Sequence, residues 1–163
     1  PWLRLYGTAD VIGVEIGGAL KNTIAIAAGV VEGLGQGHNA LAALITRGLA
    51  ELTRLAVAMG GQRETLAGLA GLGDLVLTCT GSLSRNRHVG AELARGRPLG
   101  EVVASTKMVA EGVRTTEAAL ALGARYGVEL PITAQMADVL AGRRDPSSAI
   151  RALMDRRQKS EFA

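Results

Sequence analysis

Lys21 is a residue whose surroundings suggest chemistry. It is the only charged residue between Ile16 and Val31, in a segment that is otherwise strongly apolar. A helix that is apolar on every side is buried. Burial of an ammonium costs free energy because its hydration is lost, unless an opposite charge compensates. A lysine held in this way is suited to proton transfer. The alternative is a lysine that extends its apolar stem to reach water, although the adjacent Asn22 favours a small polar site.

Asp74 is the only charge in a second apolar run, residues 66–79. An aspartate is rarely buried without a partner, so the sequence predicts an ion pair in which Asp74 holds Lys21 in position. Asp74 could also cap a helix that begins at Leu75, and both interpretations can hold together. Thr78 follows Asp74 by four residues, which places the two on the same face of a helix.

The segment 84–88, SRNRH, begins another predicted helix, with Ser84 as its cap. Free backbone N–H groups at a helix start favour anions. Arg85 adds a planar guanidinium that suits phosphate, and Asn86 adds a neutral donor. Cations in a first turn destabilise the helix itself, so a bound anion would explain their presence here. The alternative is a solvated basic corner.

Several other motifs are incomplete. The glycine-rich stretches 33–37 and 71–73 do not continue as GxGxxG and follow no predicted strand, so the sequence contains no dinucleotide-binding fingerprint. His38 and His88 lack a supporting cluster of cysteines or acids, and no metal site is predicted. A single cysteine, Cys79, excludes an internal disulfide framework and favours a reducing, cytoplasmic compartment.

Composition indicates a globular helical protein. The chain has 163 residues, of which 48% are hydrophobic and 20% charged, so it is not intrinsically disordered. Aromatic residues make up only 2%, which favours a core of aliphatic side chains between close-packed helices. The basic and acidic residues are nearly balanced, and a net charge of +3 does not by itself predict a nucleic-acid partner. The apolar window 16–31 is shorter than the roughly 20 residues that span a bilayer, so no membrane span is expected.

The hydrophobic pattern predicts an all-α body after a short N-terminal strand at residues 2–6. Asp10 is the predicted cap of the first helix. The chain opens without an initiator methionine or a signal peptide, and we interpret it as a piece of a longer polypeptide. The predicted helices cover residues 11–31, 39–59, short pieces within 64–80, 84–94, 100–105, 113–126, 132–140 and 146–156.

Four stretches carry a resemblance to a known family: VIGVEIGGALKNTIAIAAG, ALITRGLAELTRLAVAMGG, LAGLGDLVLTCTGSLSRNR and VAEGVRTTEA. They closely resemble the C-terminal domain of bacterial-type NAD(P)-dependent glycerol-3-phosphate dehydrogenase, from about Asp10 to Asp138. The resemblance implies a compact multi-helix domain similar to the C-terminal domain of 6-phosphogluconate dehydrogenase, at residues 11–163. Residues 1–10 would then be the terminal strand and linker of an absent Rossmann domain.

The resemblance also implies a reaction and a set of site residues. The family interconverts glycerol 3-phosphate and dihydroxyacetone phosphate for phospholipid synthesis, and Lys21 matches its proton donor and acceptor. The positions that match substrate contacts are Lys21, Asn22, Asp74, Thr78, Ser84, Arg85 and Asn86. Those that match cofactor contacts are Arg85, Val109 and Glu111. The resemblance implies that Arg85 and Asn86 bind the phosphate.

The family further implies the partners of the chain. NAD(P) would be bound mainly by the absent N-terminal domain, so the isolated chain is expected to be inactive. The expected assembly is a cytoplasmic homodimer with no nucleic-acid partner and no membrane span.

Two other functions remain open at this point. One is a helical nucleic-acid-binding module, whose affinity would fall steeply with salt, although the scattered acidic residues argue against it. The other is a structural oligomerisation domain that packs through its alanine- and glycine-rich helices.

Overall fold

The computed structural model describes residue 2, residues 4–105 and residues 111–157. Every regular element in this part of the chain is helical, which confirms the predicted all-α fold. In chain order the elements are α1 (Val11–Gly33), α2 (Gly37–Ala58), α3 (Arg63–Ala67), a π-helical turn (Leu69–Gly73), α4 (Asp74–Thr80), α5 (Arg85–Ala94), α6 (Leu99–Ser105), α7 (Glu111–Tyr126), α8 (Pro131–Leu140) and α9 (Pro146–Met154).

Helix α1 is the centre of the fold, and α2, α4, α5, α7 and α8 all pack against it. Its second half, from Asn22 to Val31, is buried on every side. By length and composition α1 could cross a membrane, but 61% of its most apolar window is buried among the other helices. These contacts are those of the core helix that the sequence predicts.

Asp10 fixes the start of α1, as predicted. Its Oδ1 accepts a hydrogen bond of 2.8 Å from the Gly13 backbone N–H, and its Oδ2 accepts one of 2.8 Å from Gln62 N–H. These bonds, with a further one from the Thr65 hydroxyl, lower the pKa of the Asp10 carboxyl. One side chain therefore caps α1 and ties it to the loop between α2 and α3.

Two glycines let α1 and α5 cross with their backbones in contact. A Cβ on Gly29 would lie 1.8 Å from the Arg87 carbonyl oxygen, and a Cβ on Gly90 would lie 1.9 Å from the Ile26 carbonyl oxygen. Only a residue without a side chain fits such an approach. The crossing brings the first turn of α5 beside the turn of α1 that contains Asn22.

The π-helical turn brings α4 against α1 in a similar way. A Cβ on Gly71 would lie 2.0 Å from the Leu66 carbonyl oxygen, so the chain folds back tightly after α3. A Cβ on Gly17 of α1 would lie 3.0 Å from the Ala70 carbonyl oxygen.

Cys79 of α4 is completely buried, and burial raises the pKa of its thiol to about 12.

Glu51 of α2 is an almost completely buried carboxyl group at the start of α8. Its two oxygens accept hydrogen bonds of 2.9 and 3.0 Å from Ile132 N–H, and Oε1 lies 3.4 Å from Thr133 N. The group therefore satisfies backbone donors that the helix itself leaves free. Burial nevertheless raises the pKa of Glu51 to about 7.

The predicted N-terminal strand is wrong. The described residues of that segment, Trp2 and 4–6, form no strand, and the Trp2, Leu5 and Tyr6 side chains are exposed. A strand needs a partner to satisfy its backbone groups, and the described residues contain no strand that could pair with it. Predicted helix boundaries elsewhere differ by up to two residues, with α1 continuing to Gly33.

We expect the substitution Gly90→Ala to destabilise the chain by about 2–4 kcal/mol, because the added methyl must displace the Ile26 carbonyl. The matched control is Gly100→Ala in α6, where a Cβ would meet nothing within 4 Å. Alanine favours a helix over glycine, so this control should be neutral or slightly stabilising. Urea unfolding of the 163-residue chain measures both. Equal stabilities of the two variants would contradict the backbone contact.

We also expect the stability of the chain to depend on pH through Glu51. The pKa of Glu51 is about 7 in the folded state and 4.5 in its reference state. The contribution of Glu51 to the free energy of unfolding is therefore complete below pH 4.5 and is lost as pH rises through 7. Glu51→Gln is neutral at every pH. Relative to the unmodified chain, the free energy of unfolding of the Glu51→Gln variant should therefore rise by about 3 kcal/mol as pH increases from 4.5 to 7. Parallel pH profiles in urea unfolding would show that Glu51 does not titrate in this way.

Candidate functional site

The predicted ion pair between Lys21 and Asp74 is present. Lys21 Nζ on α1 donates a hydrogen bond to Asp74 Oδ2, and the two side chains are 21% and 33% exposed. The Lys21 ammonium is therefore paired with a carboxylate and only partly exposed to solvent. Asp74 is the first residue of α4 and does not cap it, because the N-cap position belongs to Gly73.

Thr78 lies beside Asp74, as its spacing predicts. Its hydroxyl lies 2.6 Å from the Asp74 backbone carbonyl oxygen and 3.4 Å from Asp74 Oδ1. The short bond to the backbone is the stronger one, since 3.4 Å is beyond the usual range for hydroxyl donors. The Thr78 hydroxyl thus bonds within the first turn of α4 and lies close to the Asp74 carboxylate.

Two buried amides form a second contact on the same turn of α1. Asn86 Nδ2 of α5 donates a hydrogen bond of 3.0 Å to Asn22 Oδ1, and Asn86 Oδ1 accepts one of 3.0 Å from Gly112 N–H of α7. Asn22 and Asn86 are 8% and 7% exposed. Asn22 directly follows Lys21, so one turn of α1 receives Asp74 from α4 and Asn86 from α5.

Ser84 caps α5, and Arg85 is the first residue of that helix. The Ser84 hydroxyl oxygen accepts a hydrogen bond of 3.3 Å from Arg87 N–H. Arg87 donates through Nε to the Gly81 carbonyl oxygen at 3.2 Å and through Nη1 to Glu32 Oε2, so its guanidinium contacts neighbouring elements. Arg85 is exposed next to the buried Asn86. The predicted anion site therefore has Arg85 at its outer edge and Asn86 at its inner edge.

Two predicted residues remain, Val109 and Glu111. Val109 is outside the described residues, and Glu111 is the first residue of α7. Gly112 follows Glu111 and binds Asn86, so the start of α7 lies directly against the pair of amides.

Sequence reasoning missed two polar residues behind the amides, Thr23 and Thr116. The Thr23 and Thr116 hydroxyl oxygens are 2.9 Å apart, and the Thr116 hydroxyl lies 2.6 Å from the Gly112 carbonyl oxygen. Both threonines are completely buried. The available signal was a threonine next to Asn22 inside an apolar helix, because a buried hydroxyl requires a partner.

This arrangement can hold a small anionic molecule and move a proton. An ammonium whose orientation is fixed by a carboxylate can donate a proton to an oxygen within hydrogen-bond reach. A helix N-terminus with a guanidinium and an amide can hold a phosphate or carboxylate.

The large cavity of the described residues is not at the candidate site. A cavity of about 1020 Å³ lies elsewhere, between α1, α2, α8 and α9, and none of the predicted site residues lines it. Exposed large apolar side chains instead occupy the segments that carry the ion pair. They are Val11, Ile12, Val14, Leu69, Leu72, Val76 and Leu77. An apolar surface around charged groups is typical of a face that binds another protein surface.

The chain is similar to known proteins over nearly its whole length. A family model described as NAD-dependent glycerol-3-phosphate dehydrogenase C-terminus matches residues 10–151. Two curated relatives named glycerol-3-phosphate dehydrogenase [NAD(P)+], from Acidobacterium capsulatum and Koribacter versatilis, are 66% and 61% identical over 98% and 99% of the chain. The chain covers 47% and 48% of those relatives, so it spans about half their length.

Solved structures agree with this similarity. The crystal structure of glycerol-3-phosphate dehydrogenase from Coxiella burnetii superimposes with a TM-score of 0.91 and 46% identity, over 94% of this chain and 47% of that chain. The structure of a protein from Dunaliella salina, named DsGPDH, superimposes with a TM-score of 0.78 and 25% identity, over 88% of this chain and 26% of that chain.

Proposed function

Because the chain belongs to the family of NAD-dependent glycerol-3-phosphate dehydrogenase C-termini, we propose that it is the substrate-binding half of such an NAD(P)-dependent enzyme. The proposed reaction interconverts sn-glycerol 3-phosphate and dihydroxyacetone phosphate in the cytoplasm, for glycerophospholipid synthesis. The observation that carries the proposal is the contact of Lys21 with Asp74, 53 residues apart in the chain, beside the contact of Asn22 with Asn86.

Lys21 is the proposed proton donor. The chemistry that NAD(P)H supplies when bound is hydride transfer to the carbonyl carbon of dihydroxyacetone phosphate. Negative charge then develops on the carbonyl oxygen, and Lys21 Nζ donates a proton to it. In the opposite direction the same nitrogen accepts the proton of the hydroxyl group. Asp74 accepts a hydrogen bond from Nζ and so keeps the ammonium in one orientation.

The phosphate is the proposed ligand of the α5 N-terminus. Arg85 is exposed there and has the planar donors that suit phosphate. Asn86 keeps one amide hydrogen beyond its bond to Asn22, and the Ser84 hydroxyl hydrogen can also be donated. Binding energy gained at the phosphate holds the carbonyl group at Lys21, as expected when a remote group of the substrate orients its reacting atoms. Asn22 and Thr78 would line the same site.

Cofactor binding is proposed to come mainly from the other half of the enzyme. Of the residues with a predicted cofactor contact, Arg85 fits best, since a guanidinium at an exposed helix start suits a second phosphate. Val109 and Glu111 remain predictions.

The proposed partner of the chain is the nucleotide-binding half. The relatives are about twice as long as this chain. The exposed apolar side chains on the segments that carry the ion pair, such as Leu69 and Leu77, are the surface that we assign to this contact. A homodimer of the complete enzyme is proposed as well.

A chimera tests the reaction. The chain replaces the corresponding half of the Acidobacterium capsulatum relative, with which it shares 66% identity. We expect this chimera to oxidise NAD(P)H with dihydroxyacetone phosphate, and the 163-residue chain alone to be inactive.

Lys21→Ala should lower kcat by about 10²–10⁴-fold or more while the helical circular dichroism stays unchanged, because proton transfer loses its donor.

Asp74→Asn in the same chimera should also lower kcat. The asparagine side chain has the shape of aspartate but lacks the negative charge that orients Lys21. The control is Arg143→Ala, whose exposed ion pair with Asp138 lies near α9, and it should retain full turnover. Near-normal turnover of Lys21→Ala would remove Lys21 from the mechanism. An inactive, folded chimera would refute the proposed reaction.

Selectivity for the phosphate tests the role of Arg85. In the chimera, Arg85→Ala should raise KM for dihydroxyacetone phosphate by about 10–100-fold, because a charge-assisted bond to phosphate is lost. The rate with unphosphorylated dihydroxyacetone should hardly change. Steady-state kinetics with the two ketones measures this ratio. With NAD(P)H saturating, an equal loss with both substrates would show that Arg85 does not bind the substrate phosphate.

A further inference from the structure

One continuous line of buried hydrogen bonds connects α7 to the candidate site. It begins at the Thr23 and Thr116 hydroxyls, 2.9 Å apart, and passes from Thr116 to the Gly112 carbonyl oxygen at 2.6 Å. It continues from Gly112 N–H to Asn86 Oδ1 at 3.0 Å, and from Asn86 Nδ2 to Asn22 Oδ1 at 3.0 Å. Both threonines are 0% exposed.

The direction of every bond in this line is fixed. A carbonyl oxygen only accepts, so the Thr116 hydroxyl donates to Gly112, and the Thr23 hydroxyl must then donate to Thr116. A backbone N–H only donates, so the oxygen of the Asn86 amide faces Gly112 and its nitrogen faces Asn22. A flip of the Asn86 amide would lose both bonds. Its second N–H is thereby held in one direction.

Gly112 is the part of this line with the most backbone freedom. A Cβ at this position would lie 2.8 Å from Asn86 Oδ1 and 2.9 Å from the Asn22 carbonyl oxygen, so α7 begins in direct contact with the amides. Its N–H is bound by Asn86 and its carbonyl by Thr116. Thr116 therefore restrains the residue that orients Asn86.

We infer that Thr116 and Thr23 are positioning residues: their paired hydroxyls hold Gly112 so that the Asn86 amide points its remaining N–H at the substrate phosphate. The inference rests on the proposed function, in which Asn86 binds that phosphate. Neither threonine touches substrate; each acts through Gly112.

A merely structural role for the threonines makes a different prediction. Two valines would fill the same space without any buried hydroxyl to satisfy, and such paired replacements are often neutral for stability. A single Thr116→Val leaves the Thr23 hydroxyl buried without its partner, which is destabilising. Stability and substrate affinity should therefore separate in the double variant.

The experiment measures four variants in the chimera. We expect Thr116→Val to raise KM for dihydroxyacetone phosphate about 3–10-fold, with kcat within about twofold, because a phosphate contact is misaligned. Thr116→Ser keeps the hydroxyl and should restore the original KM. Thr23→Val should have a smaller effect, since Thr116 still bonds to Gly112. The double variant Thr23→Val/Thr116→Val should regain the urea midpoint of the original chimera yet keep the raised KM.

Thr46→Val is the matched control. The Thr46 hydroxyl lies 3.0 Å from the Ala42 carbonyl oxygen four residues earlier, the same local bond, on the exposed surface of α2. It should leave KM unchanged. A KM that follows stability across the variants, and returns to normal in the double variant, would overturn the inference.

A second measurement separates this inference from the proposed function. In the 163-residue chain, hydrogen exchange of the Gly112 amide followed by NMR should become at least tenfold faster in Thr116→Val and stay slow in Thr116→Ser. Unchanged exchange would overturn the inference even if the chimera is active. An inactive chimera with faster Gly112 exchange would overturn the proposed function and leave the restraint on Gly112 supported.

Discussion

The contact between the backbones of α1 and α5 is the constraint on which the rest of the structure depends. Gly29 and Gly90 place no Cβ atom at the point of closest approach, and each faces a carbonyl oxygen of the other helix. At this separation the short Asn86 side chain reaches Asn22. With ordinary side chains at the crossing, helix axes lie 8–10 Å apart, and the two amides would lose their contact. The position of the α5 N-terminus, with Ser84 and Arg85, follows from the same crossing.

Several buried or half-buried polar groups in this domain bind partners on other helices. Glu51 of α2 binds the start of α8, Asp74 of α4 binds Lys21 of α1, and Asn86 of α5 binds α1 and α7. An unsatisfied polar group in an aliphatic core costs more than most single contacts contribute. These bonds therefore define which helices lie side by side, while the apolar side chains supply most of the stabilisation.

Features that depend on local chemistry could be predicted from the sequence. Asp10 and Ser84 cap helices because their oxygens suit free backbone N–H groups. Lys21 and Asp74 were predictable as a pair since each is the sole charge in an apolar run. The strand at residues 2–6 was mispredicted because pairing requires a second strand, which local composition does not reveal. Gly112 and Thr116 could not be found, since their roles exist only once α7 crosses α1.

The burial of Cys79 has a practical consequence for following this domain in solution. The chain has one cysteine, and its thiol is enclosed by α4 and the core with a pKa of about 12, so it is scarcely ionised near neutrality. The thiolate is the nucleophile that attacks thiol-directed reagents, so Cys79 would react little with them in the folded state. A fluorophore or spin label can therefore be attached at any cysteine introduced on the surface, without first removing the native one.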